Sequence, residues 1–249
     1  MSARRLVVAN WKMYVGPSAS LALAERLLAA GVPPEVDAAL APSFGALERV
    51  ARRLSGTPVA LAAQDVSPEK EGAFTGEVSA ASLKELGVSL GIVGHSERRR
   101  RHGETGALLA RKLERLVEAG IAPLLCVGET RTERDAGRTA AVLASQLGAL
   151  DGFGSPPPGL ALAYEPVWAI GSGLAATPEM AADAHAVLRT ALGARWGEAA
   201  AAGIRILYGG SVTASNAGAL FARPGVDGGL VGGASLDPAE FRAILAAAA

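Results

Sequence analysis

Three side chains suited to proton transfer and charge neutralisation stand where short apolar runs of the chain stop. Lys12 follows the run 6–10, His95 follows 90–94, and Glu165 closes an apolar stretch just before Pro166. A lysine two residues past an apolar run, set in Asn10-Trp11-Lys12, is a local cation in a chain whose 24 basic and 24 acidic side chains cancel. His95 sits between Gly94 and a helix start expected at Ser96 and Glu97. Helix N-termini disfavour an imidazolium, so a neutral ring that can donate a hydrogen bond is expected there. A carboxylate at an apolar mouth is costly to desolvate, which suits Glu165 to general base work. Gly209, Gly210 and Ser211, then Gly232 and Gly233, expose backbone N–H groups of the kind that hold phosphate without side-chain charge.

These groups are far apart in sequence, so the elements between them must bring them together. Apolar runs recur at 6–10, 37–42, 59–64, 90–94, 122–128, 160–166, 204–210 and 228–233. Most are apolar at consecutive positions, the mark of strands buried on both faces in a parallel sheet. The spacing is about 30 residues, which leaves one helix per step. Leu109, Leu113, Leu116 and Val117 fall on one face of a helix predicted over 104–119, with Arg111, Lys112, Glu114, Arg115 and Glu118 on the other positions. Thr177-Pro178 and Asp237-Pro238 with Glu240 read as helix N-caps. Eight alternations predict a single (β/α)8 barrel over residues 1–249, eight parallel strands ringed by helices, with an open doubly wound sheet as the other topology. No GxGxxG follows the first run, so the dinucleotide fingerprint is missing. In such barrels the reactive groups lie at the carboxyl ends of the strands, where Lys12, His95 and Glu165 stand.

Composition narrows the classes. Hydrophobic residues are 50% and charged residues 19%, which excludes a disordered chain. A net charge of zero gives no global field for nucleic acid or an anionic membrane. Cys126 is the single cysteine, so neither an intrachain disulfide nor a cysteine-based zinc site is expected, and His102 and His185 lack partners at metal-ligand spacing. No export signal follows Arg4 and Arg5, and no apolar stretch reaches membrane-spanning length, so a cytoplasmic location is expected.

Three further segments bear on function. Pro166, Val167, Trp168, Ala169, Ile170, Gly171, Ser172, Gly173, Leu174, Ala175 and Ala176 have stiff ends around a glycine tip, as in a hinged lid. The stretch 64–79 has no helical period, and structureless loops of that length are usually functional. Arg98 to Arg101 is too short for a nucleic-acid patch and reads as a solvated or salt-bridged helix face.

Seven motifs then stand in order: Ala9-Asn10-Trp11-Lys12, Gly72-Ala73-Phe74-Thr75-Gly76-Glu77, Gly94-His95-Ser96-Glu97-Arg98-Arg99, Cys126-Val127-Gly128-Glu129, Tyr164-Glu165-Pro166-Val167-Trp168-Ala169-Ile170-Gly171, Tyr208-Gly209-Gly210-Ser211-Val212 and Val231-Gly232-Gly233-Ala234-Ser235-Leu236. Over essentially its full length the chain resembles the triosephosphate isomerases. The resemblance implies interconversion of dihydroxyacetone phosphate and D-glyceraldehyde 3-phosphate through an enediol or enediolate, a step of glycolysis and gluconeogenesis that needs no cofactor or metal. It implies Glu165 as the base, His95 as the electrophile and proton shuttle, and Lys12 as the neutralising cation, with Asn10 and Glu97 in support. Substrate would be held by Asn10 and Lys12 and by backbone groups of Gly171, Ser211, Gly232 and Gly233. It also implies a homodimer in which Thr75, on the long loop, approaches the neighbour's site. Ser172, Gly173 and Leu174 depart from the threonine, glycine and lysine frequent in the family, which puts lid kinetics in question.

Two other functions compete. A sugar-phosphate aldolase or epimerase would need a Schiff-base lysine or metal ligands, and no lysine stands at the end of the sixth run. A catalytically inactive barrel that only binds phosphate would not need Lys12, His95 and Glu165 together.

Overall fold

Each predicted apolar run coincides with a strand, to within a few residues at its ends, in the computed structural model, which describes residues 4–169 and 176–249. The strands are β1 (Arg5–Asn10), β2 (Val36–Ala41), β3 (Ala60–Ala63), β4 (Leu90–Val93), β5 (Ala122–Val127), β6 (Ala161–Tyr164), β7 (Arg205–Tyr208) and β8 (Gly228–Val231). All neighbours run parallel, and β1 pairs with β8 from Leu6 opposite Gly228 to Ala9 opposite Val231, closing the barrel. The open doubly wound alternative is thereby excluded. The strands stop short of several predicted ends. Gln64, Gly94, Gly128, Glu165, Gly209, Gly210, Gly232 and Gly233 lie beyond the ladders, where the chain turns into the loops.

The helices between them are α1 (Pro17–Ala30), α2 (Phe44–Leu54), α3 (Ala80–Glu85), α4 (Ser96–His102), α5 (Gly106–Glu118) and α6 (Arg131–Asp135). They continue with α7 (Thr139–Leu147), α8 (Pro178–Trp196), α9 (Glu198–Ala202), α10 (Ala214–Phe221) and α11 (Pro238–Ala247). Neither helix nor strand interrupts 64–79, as its lack of periodicity predicts.

Side chains sort by strand alternation. Leu6, Val8, Ala39, Ala41, Ile92, Leu124, Cys126, Ala163, Leu207 and Leu230 pack together inside the barrel. Val7, Ala9, Val93, Leu125, Leu162 and Ile206 pack outward with the helices. Alternating large leucines with alanines fills a narrow interior, so the barrel is a packed core and the site must lie at its rim. Where β8 meets β1 the backbones come so close that a Cβ on Gly228, whose φ is 135°, would fall 1.9 Å from the Leu6 carbonyl oxygen. Only glycine closes the seam there.

Two helix readings need correction. Lys112, placed off the apolar face, is nonetheless buried, its ammonium 2.6 Å from Asp65 Oδ1 and 2.5 Å from Glu104 Oε1. Glu104 itself precedes the helix, which Thr105 caps by accepting from the Leu108 N–H. The Thr177 and Asp237 caps are present. Glu240, however, does not reach back to Asp237; its carboxylate accepts from the N–H of Ala214, an orphan donor in the first turn of α10.

Candidate active site

The loops after the strands enclose a cavity of about 470 Å³ lined by Asn10, Lys12, His95, Glu97, Glu165, Ser211, Gly232 and Gly233, with Tyr14, Ser96, Arg100, Gly209 and Gly210 around them. It thus brings together the predicted catalytic and substrate-binding residues other than Gly171, with Val167 of the expected lid, while Pro166, Trp168, Ala169 and Ala176 do not line it. Gly171 lies outside the described residues, with Ile170, Ser172, Gly173, Leu174 and Ala175 of the expected lid. Thr75 is exposed on the long loop and does not line the cavity.

The loop after β1 is built around one strained residue. Lys12 has φ of 48°, the one non-glycine among the described residues in the left-handed region. A conformation of that kind costs about 1–3 kcal/mol and persists where its surroundings over-determine it. Here the Asn10 side chain accepts from the Lys12 N–H at 3.1 Å, and Trp11 is fully buried beside it. Gln64 Nε2 donates to the carbonyls of Lys12 and Ala41, at 2.9 and 2.8 Å, tying this loop to the end of β2. The Lys12 ammonium is thereby placed 2.9 Å from Glu97 Oε1 and beside the eighth loop, where a Cβ built on Gly232 would lie 3.6 Å from Lys12 Cε. Burial pushes the Glu97 carboxyl up, but the hydrogen bond and charge of Lys12 outweigh it and hold Glu97 below the usual carboxylate range.

His95 is the N-cap of α4, and its Nδ1 accepts from the Glu97 N–H at 3.2 Å. A ring nitrogen that accepts carries no hydrogen, so the imidazole is neutral and its proton sits on Nε2. That nitrogen lies 2.9 Å from Glu165 Oε1. The approach is close but off the direction of a hydrogen bond, leaving Oε1 without a hydrogen-bond partner among the described residues. The other oxygen, Oε2, accepts from the Ser96 N–H at 2.8 Å. Glu165 is 1% exposed and pinned from both sides. Its N–H donates to Val127 O at 2.7 Å, and the preceding carbonyl of Tyr164 accepts from Gly209 N–H at 2.7 Å. On the β5 side the Gln146 amide grips Gly128 through both its N–H and its carbonyl.

The helix carrying His95 and Glu97 is locked underneath. Arg98 spans Asp65 and Glu104 at 2.8 and 2.7 Å, sharing both with the buried Lys112. Arg99 turns inward to the carbonyls of Gly94 and Cys126, at 2.8 and 2.9 Å. The basic run is therefore half structural, and of its four arginines Arg100 and Arg101 are the exposed ones.

At the near end of the expected lid, 167–169 form a short 3-10 turn. Trp168 Nε1 donates to Glu129 Oε1 at 3.0 Å, the Tyr164 hydroxyl donates to the same oxygen, and the Arg134 guanidinium lies 4.9 Å over the Trp168 ring. Sequence reasoning missed Ser96, Gln64, Glu129 and Gln146. Ser96 acts through its backbone. The other three carry no pattern beyond Glu129 ending a motif: the partners of Gln64 and Gln146 are main-chain groups, and Glu129 joins two aromatic side chains to Arg134.

A family model described as Triosephosphate isomerase matches residues 5–248. The chain is 51% identical over 253 residues to the triosephosphate isomerase of Paracidovorax citrulli, covering all of both chains. It is 51% identical over 244 residues to that of Thermus thermophilus, covering 97% of this chain and 98% of the relative. With the enzyme of Delftia acidovorans it shares 48% over 248 residues, or 98% and 99% of the two chains. A closed eight-stranded barrel whose rim gathers a lysine, a neutral histidine and a buried glutamate thus accompanies a full-length match, and the chain belongs to the triosephosphate isomerase family.

Proposed function

We propose that this chain interconverts dihydroxyacetone phosphate and D-glyceraldehyde 3-phosphate, with Glu165 as base, His95 as electrophile and Lys12 as the neutralising cation. The observation that carries the reading is the meeting of Glu165 Oε1 and His95 Nε2 at 2.9 Å in the cavity that also holds Lys12. A carboxylate oxygen without a hydrogen-bond partner among the described residues is free to accept a proton, and a neutral N–H beside it is free to give one.

The steps balance without any added reagent. Glu165 takes a proton from C1 of dihydroxyacetone phosphate, the released electron pair forms a C1–C2 double bond, and charge moves onto the C2 oxygen. The Nε2–H of His95 protonates that oxygen and then recovers a proton from the C1 hydroxyl. Glu165 returns its proton to C2, which gives the aldehyde. Lys12 offsets the developing charge, and Asn10 and Glu97 position Lys12. The phosphate lies on backbone N–H groups of Gly171, Ser211, Gly232 and Gly233. General base action contributes about 10²–10⁴-fold and a preorganised donor about 10²–10³-fold, so the two must act together to reach total accelerations above about 10⁶.

Residues 166–176 serve as a lid anchored through Trp168 on Glu129, excluding water from an intermediate that would otherwise lose phosphate. The working unit is a homodimer formed through the 64–79 loop, with Thr75 near the neighbour's site. The exposed Met13 and Tyr14 after β1 and Phe74 on that loop support it. The step belongs to glycolysis and gluconeogenesis in the cytoplasm. No described helix is long and apolar enough to cross a membrane.

The test is proton NMR of substrate and product in deuterated water. Deuterium entering the substrate carbon at the rate of turnover supports proton abstraction by the enzyme; binding without exchange removes it.

A further inference from the structure

The isomerase reading assigns no task to Arg100, yet this side chain lines the catalytic cavity. It stands on α4 one turn beyond Ser96 and Glu97, at i+4 and i+3, which puts all three on one helix face. Ser96 and Glu97 face the cavity through Glu165 and Lys12, so the same face carries Arg100 to the rim, about 6 Å further along the helix axis. Arg100 is exposed and has no ion pair among the described residues. Its neighbours differ. Arg98 and Arg99 are consumed by Asp65, Glu104 and the carbonyls of Gly94 and Cys126. The acid best placed to neutralise Arg100, Glu97 at i−3, is taken by Lys12 at 2.9 Å.

The charge count makes this matter. The charged residues lining the cavity are Lys12, Arg100, Glu97 and Glu165. Lys12 and Glu97 cancel, so without Arg100 the mouth would keep the charge of Glu165 and repel an incoming phosphate ester of about −1.5 to −2. The chain as a whole offers no compensating field, since its net charge is zero. We propose that Arg100 is the substrate-steering residue of this enzyme: an unpaired guanidinium at the rim that draws the phosphate of the triose ester toward the backbone cradle. This inference rests on the isomerase reading. A cation in a cleft raises association rates by about 10–10³-fold, the effect falls with ionic strength, and it acts on capture rather than on the chemical step.

The experiment measures kcat/KM for D-glyceraldehyde 3-phosphate in Arg100→Gln, Arg100→Lys and, as a control, Arg26→Gln on the outer helix α1, from about 10 mM to about 0.5 M salt. Unphosphorylated glyceraldehyde, followed by NMR, is the second substrate. Arg100→Gln is expected to lose about three- to tenfold in kcat/KM at low salt with kcat within about twofold, and the gap should close as salt rises. Arg100→Lys should keep most of the wild-type value, Arg26→Gln should lose under about twofold, and glyceraldehyde turnover should not fall. Equal losses in Arg100→Gln and Arg26→Gln, a loss that persists at high salt, or the same proportional loss with glyceraldehyde overturns the steering role. A wild-type protein that turns over neither substrate would instead overturn the isomerase reading on which the inference stands.

Discussion

The backbone N–H of Ser96 donates to Oε2 of Glu165 at 2.8 Å, so the carboxylate just after β6 is held by the first turn of the helix that His95 caps. One oxygen is fixed and the other, beside His95, has no hydrogen-bond partner among the described residues. A single main-chain hydrogen bond thus aims the proposed base while leaving it able to take a proton.

Glu165→Ala removes that base without touching the loops proposed to hold phosphate. Turnover should fall by at least about 10²–10⁴-fold, the range for general base action. Inorganic phosphate, titrated calorimetrically, should still bind. A coupled assay that returned near-normal rates would defeat the assignment.

Lys12→Met should damage both KM and kcat, for two reasons. It deletes the cation, and it leaves Glu97, whose carboxyl Lys12 keeps ionised, as an unpaired negative charge facing the substrate. The double variant Lys12→Met with Glu97→Gln should therefore bind inorganic phosphate better than Lys12→Met alone, by a coupling of about 1 kcal/mol. Competitive inhibition constants across the four proteins measure it; strict additivity would mean that the pair does not act as a unit.

How much of this was legible beforehand follows from what each feature depends on. Every strand could be found because burial on both faces forces consecutive apolar residues such as Leu124, Leu125 and Cys126. Lys12, His95 and Glu165 could be found because barrel topology sends strand ends to one rim. The burial of Lys112 could not be read, because helical periodicity only sets a lysine off the apolar face, and the two carboxylates that make its burial tolerable, Asp65 and Glu104, lie outside the helix. Ser96 was invisible because it acts through its own main-chain N–H, and Gln64 and Gln146 because they bond to main-chain groups, which every sequence possesses.

Gly128→Ala should act on catalysis through the backbone of the proposed base. A Cβ at this position would lie 1.7 Å from the Glu165 carbonyl oxygen and 2.6 Å from its carbonyl carbon, and no rotamer relieves a clash with main chain. The Glu165 backbone must shift, and a misplacement of about 1 Å can cost about 10²-fold in rate. We expect kcat to fall by that order with KM changed only a few-fold, alongside about 1–3 kcal/mol of lost stability from overpacking. Gly106→Ala, where a Cβ meets nothing within 4 Å, is the control for the substitution itself. Unchanged kcat in Gly128→Ala would show that the β5 end does not set the position of Glu165.

His185 should make stability depend on pH below neutrality. It is fully buried in α8, edge-on to Tyr164 with ring centroids 5.9 Å apart. Its Nδ1 lies 2.8 Å from the Gly225 carbonyl, which can only accept, so Nδ1 carries the proton and Nε2 is a buried acceptor without a partner among the described residues. Burial disfavours the imidazolium and lowers the pKa from 6.5 to about 4. The unfolded chain therefore binds a proton on this group between about pH 6.5 and about pH 4 while the folded chain does not. Stability is full above the unfolded value and declines as pH falls, by about 1.4 kcal/mol per unit from this group, levelling off once the folded form also protonates. Integrated over the window the loss is about 3 kcal/mol. In His185→Gln the slope of unfolding free energy against pH, measured by urea denaturation at pH 4.5 to 6, should be smaller by about one proton. Identical slopes in the two proteins would mean that His185 takes up its proton equally in the folded and unfolded chains, and the acid sensitivity would have to be sought among the carboxylates.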